Sequence, residues 1–306
     1  MRLLDLHQHA WTEPLIEALS VRRALPFVRR SPEGLTVLHC AGERPCVIDP
    51  DALPTSALAR RERLAGADRG MIAISSPIGI EALDPESAHA LITAHLDGVL
   101  ALGAEFGAWG PLALADPSPA QVGELLVRGC AGISVSAGAI ASREDFDVLA
   151  PALEAVQGER AVLFVHPGPG RWARPVEPSL TEPLWWPALT SYVEQMQAAW
   201  LTFATYGRRE LPTLRVVFAM LAGGAPLLSE RLKTRGGPAT DLHDPRTFYD
   251  PSSYGPRMVQ TMAEWVGWSQ LVYGSDRPVI DVIPTGREAE LMANAAGLIP
   301  VPATVA

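Results

Sequence analysis

Two periodicities divide the chain. Short continuous apolar runs at Gly70–Ile74, Phe106–Leu114, Gly132–Val135, Ala161–Val165, Leu214–Ala219, Thr247–Tyr249 and Gln270–Tyr273 read as strands buried on both faces. Between them, apolar positions recur at helical spacing. The pattern predicts helices over Thr55–Ala65, Pro85–Leu102, Pro119–Arg128, Asp145–Val156, within Pro187–Tyr206, and over Pro226–Arg235, Pro256–Val266 and Arg287–Ala296. One more apolar run opens the chain, Leu3-Leu4 leading into Asp5-Leu6-His7-Gln8-His9. Eight strands, each followed by a helix, predict an α/β fold, a (β/α)8 TIM barrel forming one domain over residues 1–306. A doubly wound sheet is the alternative, but no Gly-x-Gly-x-x-Gly follows any strand. Residues 11–53 break the rhythm. There Glu13–Leu25 reads as a helix, and Leu35–His39 with Pro45–Ile48 as a hairpin turning at Ala41–Arg44. This is a small insertion after the first strand.

Composition narrows the class. With 306 residues, 48% hydrophobic and 19% charged, the chain can bury a large core. A net charge of −9 opposes a nucleic-acid partner, which would want a basic face. Basic residues are almost all arginine; Lys233 is the only lysine. Cys40, Cys46 and Cys130 form no metal knuckle, and their odd count suggests reduced thiols, with a Cys40–Cys46 bridge across the hairpin left open. No signal-peptide pattern precedes Leu3, and no apolar run reaches about 18 residues. The expectation is a soluble cytoplasmic protein with no membrane partner.

The candidate chemistry sits where apolar runs end. In a strand, Asp5, His7 and His9 share one face, because side chains alternate with period two. Two imidazoles so placed can grip one metal ion, although His-x-His alone is a weak signal. The fifth strand ends in His166, within Phe164-Val165-His166-Pro167-Gly168, and the eighth in Asp276, within Tyr273-Gly274-Ser275-Asp276-Arg277. Barrel active sites lie at the C-terminal ends of strands, and closure puts strands one and eight side by side with five across the mouth. His7, His9, His166 and Asp276 therefore converge as a shell for one divalent cation, Zn²⁺ above all.

These stretches, together with Leu214–Ala219, Gly223-Gly224-Ala225-Pro226 and Asp250–Gly255, resemble the amidohydrolase superfamily. The nearest branch is the amidohydrolase-related (amidohydrolase 2) group typified by aminocarboxymuconate-semialdehyde decarboxylase. The resemblance covers most of the chain, with residues 10–53 and 277–306 matching poorly. It implies the same four metal ligands, and a carboxy-lyase acting on a small unsaturated or aromatic carboxylic acid. Metal-dependent hydrolysis of a lactone or amide, with Asp276 as general base, is the alternative. A homodimer is also implied. Strand four lacks the lysine that bridges two metals in dinuclear relatives, so one metal is expected. At strand six, where the branch usually places its acid/base histidine, Met220 stands instead, and a thioether cannot move a proton. Hence a third reading is a metal- and ligand-binding protein with impaired catalysis. Asp276 is the expected catalytic group, with Tyr254, His39 and His243 as further proton-transfer candidates.

Around the site, Trp11, Trp172, Trp185 and Trp186 fall in loops after strands one and five and suggest an aromatic-lined mouth, packing on the rim being the competing reading. Arg231 matches by spacing an arginine that in the resembling decarboxylases reaches a substrate carboxylate across a dimer interface. Arg277 replaces a usual aromatic residue and is a candidate carboxylate holder. Arg44, on the insertion hairpin, is placed to reach over the site. With Trp186 and Tyr254 these form the expected substrate-binding set. Surface charge is the plainer reading of each arginine. His89 and His95 read as exposed helix residues, and His243 as exposed in a polar loop.

Overall fold

The computed structural model describes residues 2–48, 62–171 and 181–299. The predicted helix over 55–65 falls largely outside these residues, as does Trp172. Strand β1 (Leu4–His9) opens the chain, and all six of its residues are buried. Helix α1 (Glu13–Ser20) follows, with Pro14 in its first turn where no amide partner is lost. The insertion then forms a three-stranded antiparallel sheet, β2 (Phe27–Arg30), β3 (Thr36–His39) and β4 (Cys46–Ile48). The hairpin is where the sequence puts it. The extra strand β2 pairs Phe27 with His39 and Arg30 with Thr36. Arg29 and Arg30 are exposed on this edge strand, where charge discourages further pairing.

The barrel strands continue with β5 (Arg69–Ala73), β6 (Phe106–Pro111), β7 (Gly132–Ser136), β8 (Val162–His166), β9 (Arg215–Phe218) and β10 (Thr247–Tyr249). The order β1-β5-β6-β7-β8-β9-β10 is parallel throughout, so each strand neighbours its sequence successor. The predicted eighth strand is irregular. A 3₁₀ turn covers Trp268–Gln270, and residues 271–277 close the circle by isolated bridges, Leu271 to Tyr249 and Arg277 to Gln8. Val272 N donates to Tyr249 O (3.0 Å), Leu6 N to Tyr273 O (2.9 Å) and Asp276 N to His7 O (2.8 Å). The closing segment therefore stitches β10 to β1 and delivers Asp276 beside His7.

The longer helices are α2 (Pro85–Leu100), α3 (Pro119–Val127), α4 (Arg143–Gly158), α6 (Ser191–Thr202), α7 (Ser229–Thr234), α8 (Pro256–Val266) and α9 (Glu288–Leu298), and the short α5 (Trp186–Leu189) lies at the barrel mouth. Asp84, Ser118 and Ser142 cap α2, α3 and α4 by accepting from backbone amides three residues on. Two readings of α2 divide here. His89 is exposed as expected, but His95 is fully buried. It lies on the same stripe as Ala88, Leu91, Ile92 and Val99, so helical spacing turns it onto the barrel. The barrel interior below the site is aromatic: Trp109 stacks on Phe164 at 5.1 Å and donates from Nε1 to Leu6 O (2.8 Å). Gly132 leaves room for that indole, since a Cβ there would meet the Trp109 ring.

Candidate metal centre

β1 presents His7 and His9 together despite a register shift. Asp5 pairs with Gly70 and Gln8 with Ile72, so three steps on β1 face two on β5, a bulge that bends the strand at its end. His166 ends β8 opposite Ser136 of β7. Asp276 stands on the closing segment with a left-handed backbone, φ 54°. Such strain in a non-glycine residue persists only where surroundings enforce it, and the bond from its amide to His7 O does so here.

One ligand atom from each of His7, His9, His166 and Asp276 lies within 4.8 Å of all the others, and all four residues are buried. The three imidazole centroids are mutually 5.0 Å apart with rings near perpendicular. Every Nδ1 is already engaged. His7 Nδ1 lies 2.6 Å from Asp250 Oδ2, His9 Nδ1 3.0 Å from Ala73 O, and His166 Nδ1 2.9 Å from Pro167 O. A carbonyl or carboxylate there fixes the proton on Nδ1 and leaves the Nε2 lone pair facing inward. His7 Nε2 and His9 Nε2 are then 3.1 Å apart, with Asp276 Oδ1 3.0 Å from His9 Nε2. Lone pairs meet lone pairs, and Asp276 Oδ1 is a buried acceptor without a hydrogen bond among the described residues. A divalent cation resolves this conflict, and three neutral imidazoles with one carboxylate are the donor set it takes. Without a cation a proton must serve. Burial pushes the His7 imidazolium down, but the Asp276 and Asp250 carboxylates outweigh it and hold its pKa at about 8. For Asp276 burial acts upward, and His7 and His9 overcome it, leaving the carboxyl below its usual range. Burial first, then His9 and His7, drive His166 well below the ordinary histidine value.

Asp250 is the residue that the strand-end reasoning passed over. It is fully buried, and besides His7 it accepts from Ser252 N (2.8 Å) and Ser252 Oγ (2.9 Å). Gly274 makes room for it, because a Cβ there would fall on the carboxylate. Asp250 directly follows β10, the place a turn aspartate before Pro251 would also take. Asp5 plays a structural part nearby. Its carboxylate accepts from Ser275 N (3.0 Å), His7 N (3.2 Å) and Gln8 Nε2 (2.7 Å), and Gln8 Oε1 accepts from Arg63 Nε (2.9 Å).

A cavity of about 180 Å³ opens over the four ligands. Its walls are mostly apolar, with Pro77, Leu189, Val193, Val279 and Ile280, and its polar edge includes Ser75, Tyr192 and Tyr254. Met220 lines it too, on a run of left-handed residues from Met220 to Gly224. That run is pinned by Leu221 N donating to Asp250 O (2.8 Å) and by Gln197 Nε2 donating to Gly223 O (2.8 Å). Among the described residues no arginine or lysine lines this cavity. Arg277 turns away and donates to Arg63 O (2.8 Å). Arg231 is exposed on α7, and Arg44 lines a separate shallow pocket with Glu43, Cys46 and Glu182. Trp186 is 40% exposed and packs its ring against Trp185 rather than into the cavity. Of the expected substrate contacts, Tyr254 alone lines the cavity. His39 stacks on Phe27 and His243 is exposed.

No protein-family model and no curated protein matches the sequence. Solved structures do match, along nearly the whole chain. IDCase from Metarhizium anisopliae aligns at 18% identity over 98% of this chain and 97% of its own, with a TM-score of 0.70. 5-Carboxyvanillate decarboxylase LigW2 from Novosphingobium aromaticivorans, with bound manganese and a nitrobenzoic acid, aligns at 14% identity over 97% and 96%, TM-score 0.69. 2,6-Dihydroxybenzoate decarboxylase from Rhizobium aligns at 14% identity over 97% and 98%, TM-score 0.67. The chain has their fold. It is a parallel α/β barrel, its strands following one another around the sheet in chain order. Among the described residues, no helix is long and apolar enough to cross a membrane.

Proposed function

We propose that this protein is a metal-dependent enzyme that removes carboxylate from a small unsaturated or aromatic acid. His7, His9, His166 and Asp276 would hold one divalent ion, with Zn²⁺ favoured by three nitrogens and one oxygen. The observation that carries the reading is the orphaned Asp276 Oδ1 among inward-facing Nε2 atoms, at the floor of a small apolar cavity. The fold neighbours, decarboxylases of aromatic acids, support the choice of reaction. A divalent ion supplies Lewis acidity to a carboxylate or carbonyl oxygen placed against it. The chain's own groups do the rest. Asp250, Ala73 O and Pro167 O fix the three imidazoles, and around a divalent ion three neutral rings and one carboxylate would leave the ligand shell one positive charge, which a substrate carboxylate matches. With no cationic side chain in the cavity, the substrate's charge has no other described partner. Asp276 is the proposed proton carrier, and the Tyr254 hydroxyl, kept protonated by burial, a proposed substrate contact. Met220 excludes water where a histidine would have handled protons. A homodimer in a cytoplasmic setting belongs to the same proposal.

The uncharged cavity wall also favours a second reading, hydrolysis of a neutral lactone or amide with Asp276 as base. The two separate in one assay. Metal-reconstituted protein is incubated with a panel of hydroxybenzoic acids and aryl lactones, and CO₂ release is measured beside acid release. Metal-dependent CO₂ release is expected. Acid release alone would select the hydrolase, and neither product would mark a binding protein.

A further inference from the structure

The cavity over the ligands is not the largest space at the barrel mouth. A second chamber of about 460 Å³ lies beside it, against about 180 Å³ for the cavity itself, and Pro77 and Tyr192 line both. Pockets for small organic ligands run from about 300 to 1,000 Å³, so the cavity alone is undersized and the chamber is not. The insertion forms one side of the chamber, through Leu25 and Pro26 and through Ala41 to Glu43 at the β3–β4 turn. The opposite side is fixed backbone. Gly138 N donates to Gly168 O (3.0 Å), and a Cβ at either Gly138 or Gly170 would strike the other's main chain. Between them stand Ile78, Ala82 and Leu83. At the partition the Tyr192 hydroxyl donates to Glu43, so the insertion is tied to the helix bordering the cavity. None of the described lining residues is cationic, and Glu43 is acidic.

We propose that the substrate is elongated, its reacting head over the four ligands and an uncharged apolar extension, such as a second ring, in the chamber beyond Pro77 and Tyr192. This rests on the metal-site reading above. The insertion then sets the substrate class: it walls a space that a single-ring acid would leave empty. Apolar walls reward an apolar extension, and Glu43, with no cation among the described lining residues, opposes an anionic one.

Titration calorimetry on metal-reconstituted protein tests this with salicylate, 4- and 5-phenylsalicylate, and the dicarboxylate 4-hydroxyisophthalate. One phenyl acid is expected to bind about tenfold tighter than salicylate or better, since burying a ring is worth at least that factor. The dicarboxylate should gain nothing. Ala41→Phe and Ala82→Phe each fill the chamber without touching the cavity. In whichever of them melts like wild type, the phenyl gain should vanish while salicylate binding stays within about twofold. Equal affinity of phenyl and unsubstituted acids, a gain by the dicarboxylate, or a phenyl gain that survives both filled variants overturns the proposal. If salicylate binds equally well after metal removal, or not at all, the metal-site reading has failed and this inference falls with it.

Discussion

Replacing Asp250 by asparagine changes one atom and should weaken the metal centre without emptying it. Asp250 Oδ1 accepts from Ser252 N, and Oδ2 accepts from both Ser252 Oγ and His7 Nδ1. An asparagine has one oxygen for these places. If it keeps the Ser252 amide, its NH₂ faces His7 Nδ1, which must then accept, and the ring proton moves to Nε2 where the metal should bind. If it turns over, the NH₂ meets the Ser252 amide, donor against donor. Either way the cost falls on a fully buried group. Loss of such an orienting partner typically weakens metal affinity by about 10–100-fold, or roughly 1.4–2.7 kcal/mol. The assay is competition for Zn²⁺ against a chromogenic chelator, with thermal melts of the metal-free forms alongside. The variant should melt as a folded protein and lose metal at lower chelator concentration. Unchanged zinc affinity in a folded variant would refute the assignment of Asp250 as the group that orients His7.

Further outcomes follow from neighbouring residues. Burial, with His9 and Arg128 adding to it, lowers the His95 pKa to about 3, and neither ring nitrogen has a hydrogen bond among the described residues. A depressed folded pKa gives stability that is complete above the unfolded value of about 6.5 and lost as pH falls toward 3. Urea melts should therefore lose up to about 1.4 kcal/mol per pH unit below 6.5 through this residue, and His95→Leu should flatten that slope. A slope unchanged in the leucine variant would contradict it. Gly274→Ala places a Cβ on the Asp250 carboxylate, so it should lower both melting temperature and zinc affinity; wild-type values for both would be inconsistent with the packing. Met220→His would place a protic group at the cavity wall on a left-handed position (φ 51°), which histidine tolerates better than most residues. Turnover of whichever panel substrate reacts should rise, by up to about 10²–10⁴-fold. No increase would indicate that proton transfer at this position does not limit the rate.

The ligand constellation was legible because each of its members ends an apolar run. His7 and His9 close β1, His166 closes β8, and Asp276 follows the last run, so strand order alone made them neighbours. What lay beyond the run ends was harder to read. Asp250 orients a ligand rather than serving as one, and nothing in a single sequence distinguishes it from a turn aspartate before Pro251. Arg277 sits next to Asp276 in sequence, yet its guanidinium is spent on the carbonyls of Arg63 and Glu62, because the left-handed turn at Asp276 aims successive side chains apart. The eighth strand shows the same limit. Its apolar run was visible, but the 3₁₀ turn before it and the irregular bridges on both sides depend on long-range pairing with β1 and β10. The chamber under the insertion could not be foreseen either. It exists only because the β3–β4 turn, 149 residues from Tyr192 along the chain, comes to rest against it.

Metal stoichiometry tests the central claim most directly. Protein purified without chelator, reconstituted with Zn²⁺ and dialysed, is analysed by inductively coupled plasma mass spectrometry beside His166→Ala. The expected result is about one divalent ion per wild-type chain and close to none in the variant, with the two sharing a circular dichroism spectrum. A wild-type protein that retains no divalent ion, or a His166→Ala protein that retains it in full, would contradict the claim that these four side chains form a metal centre.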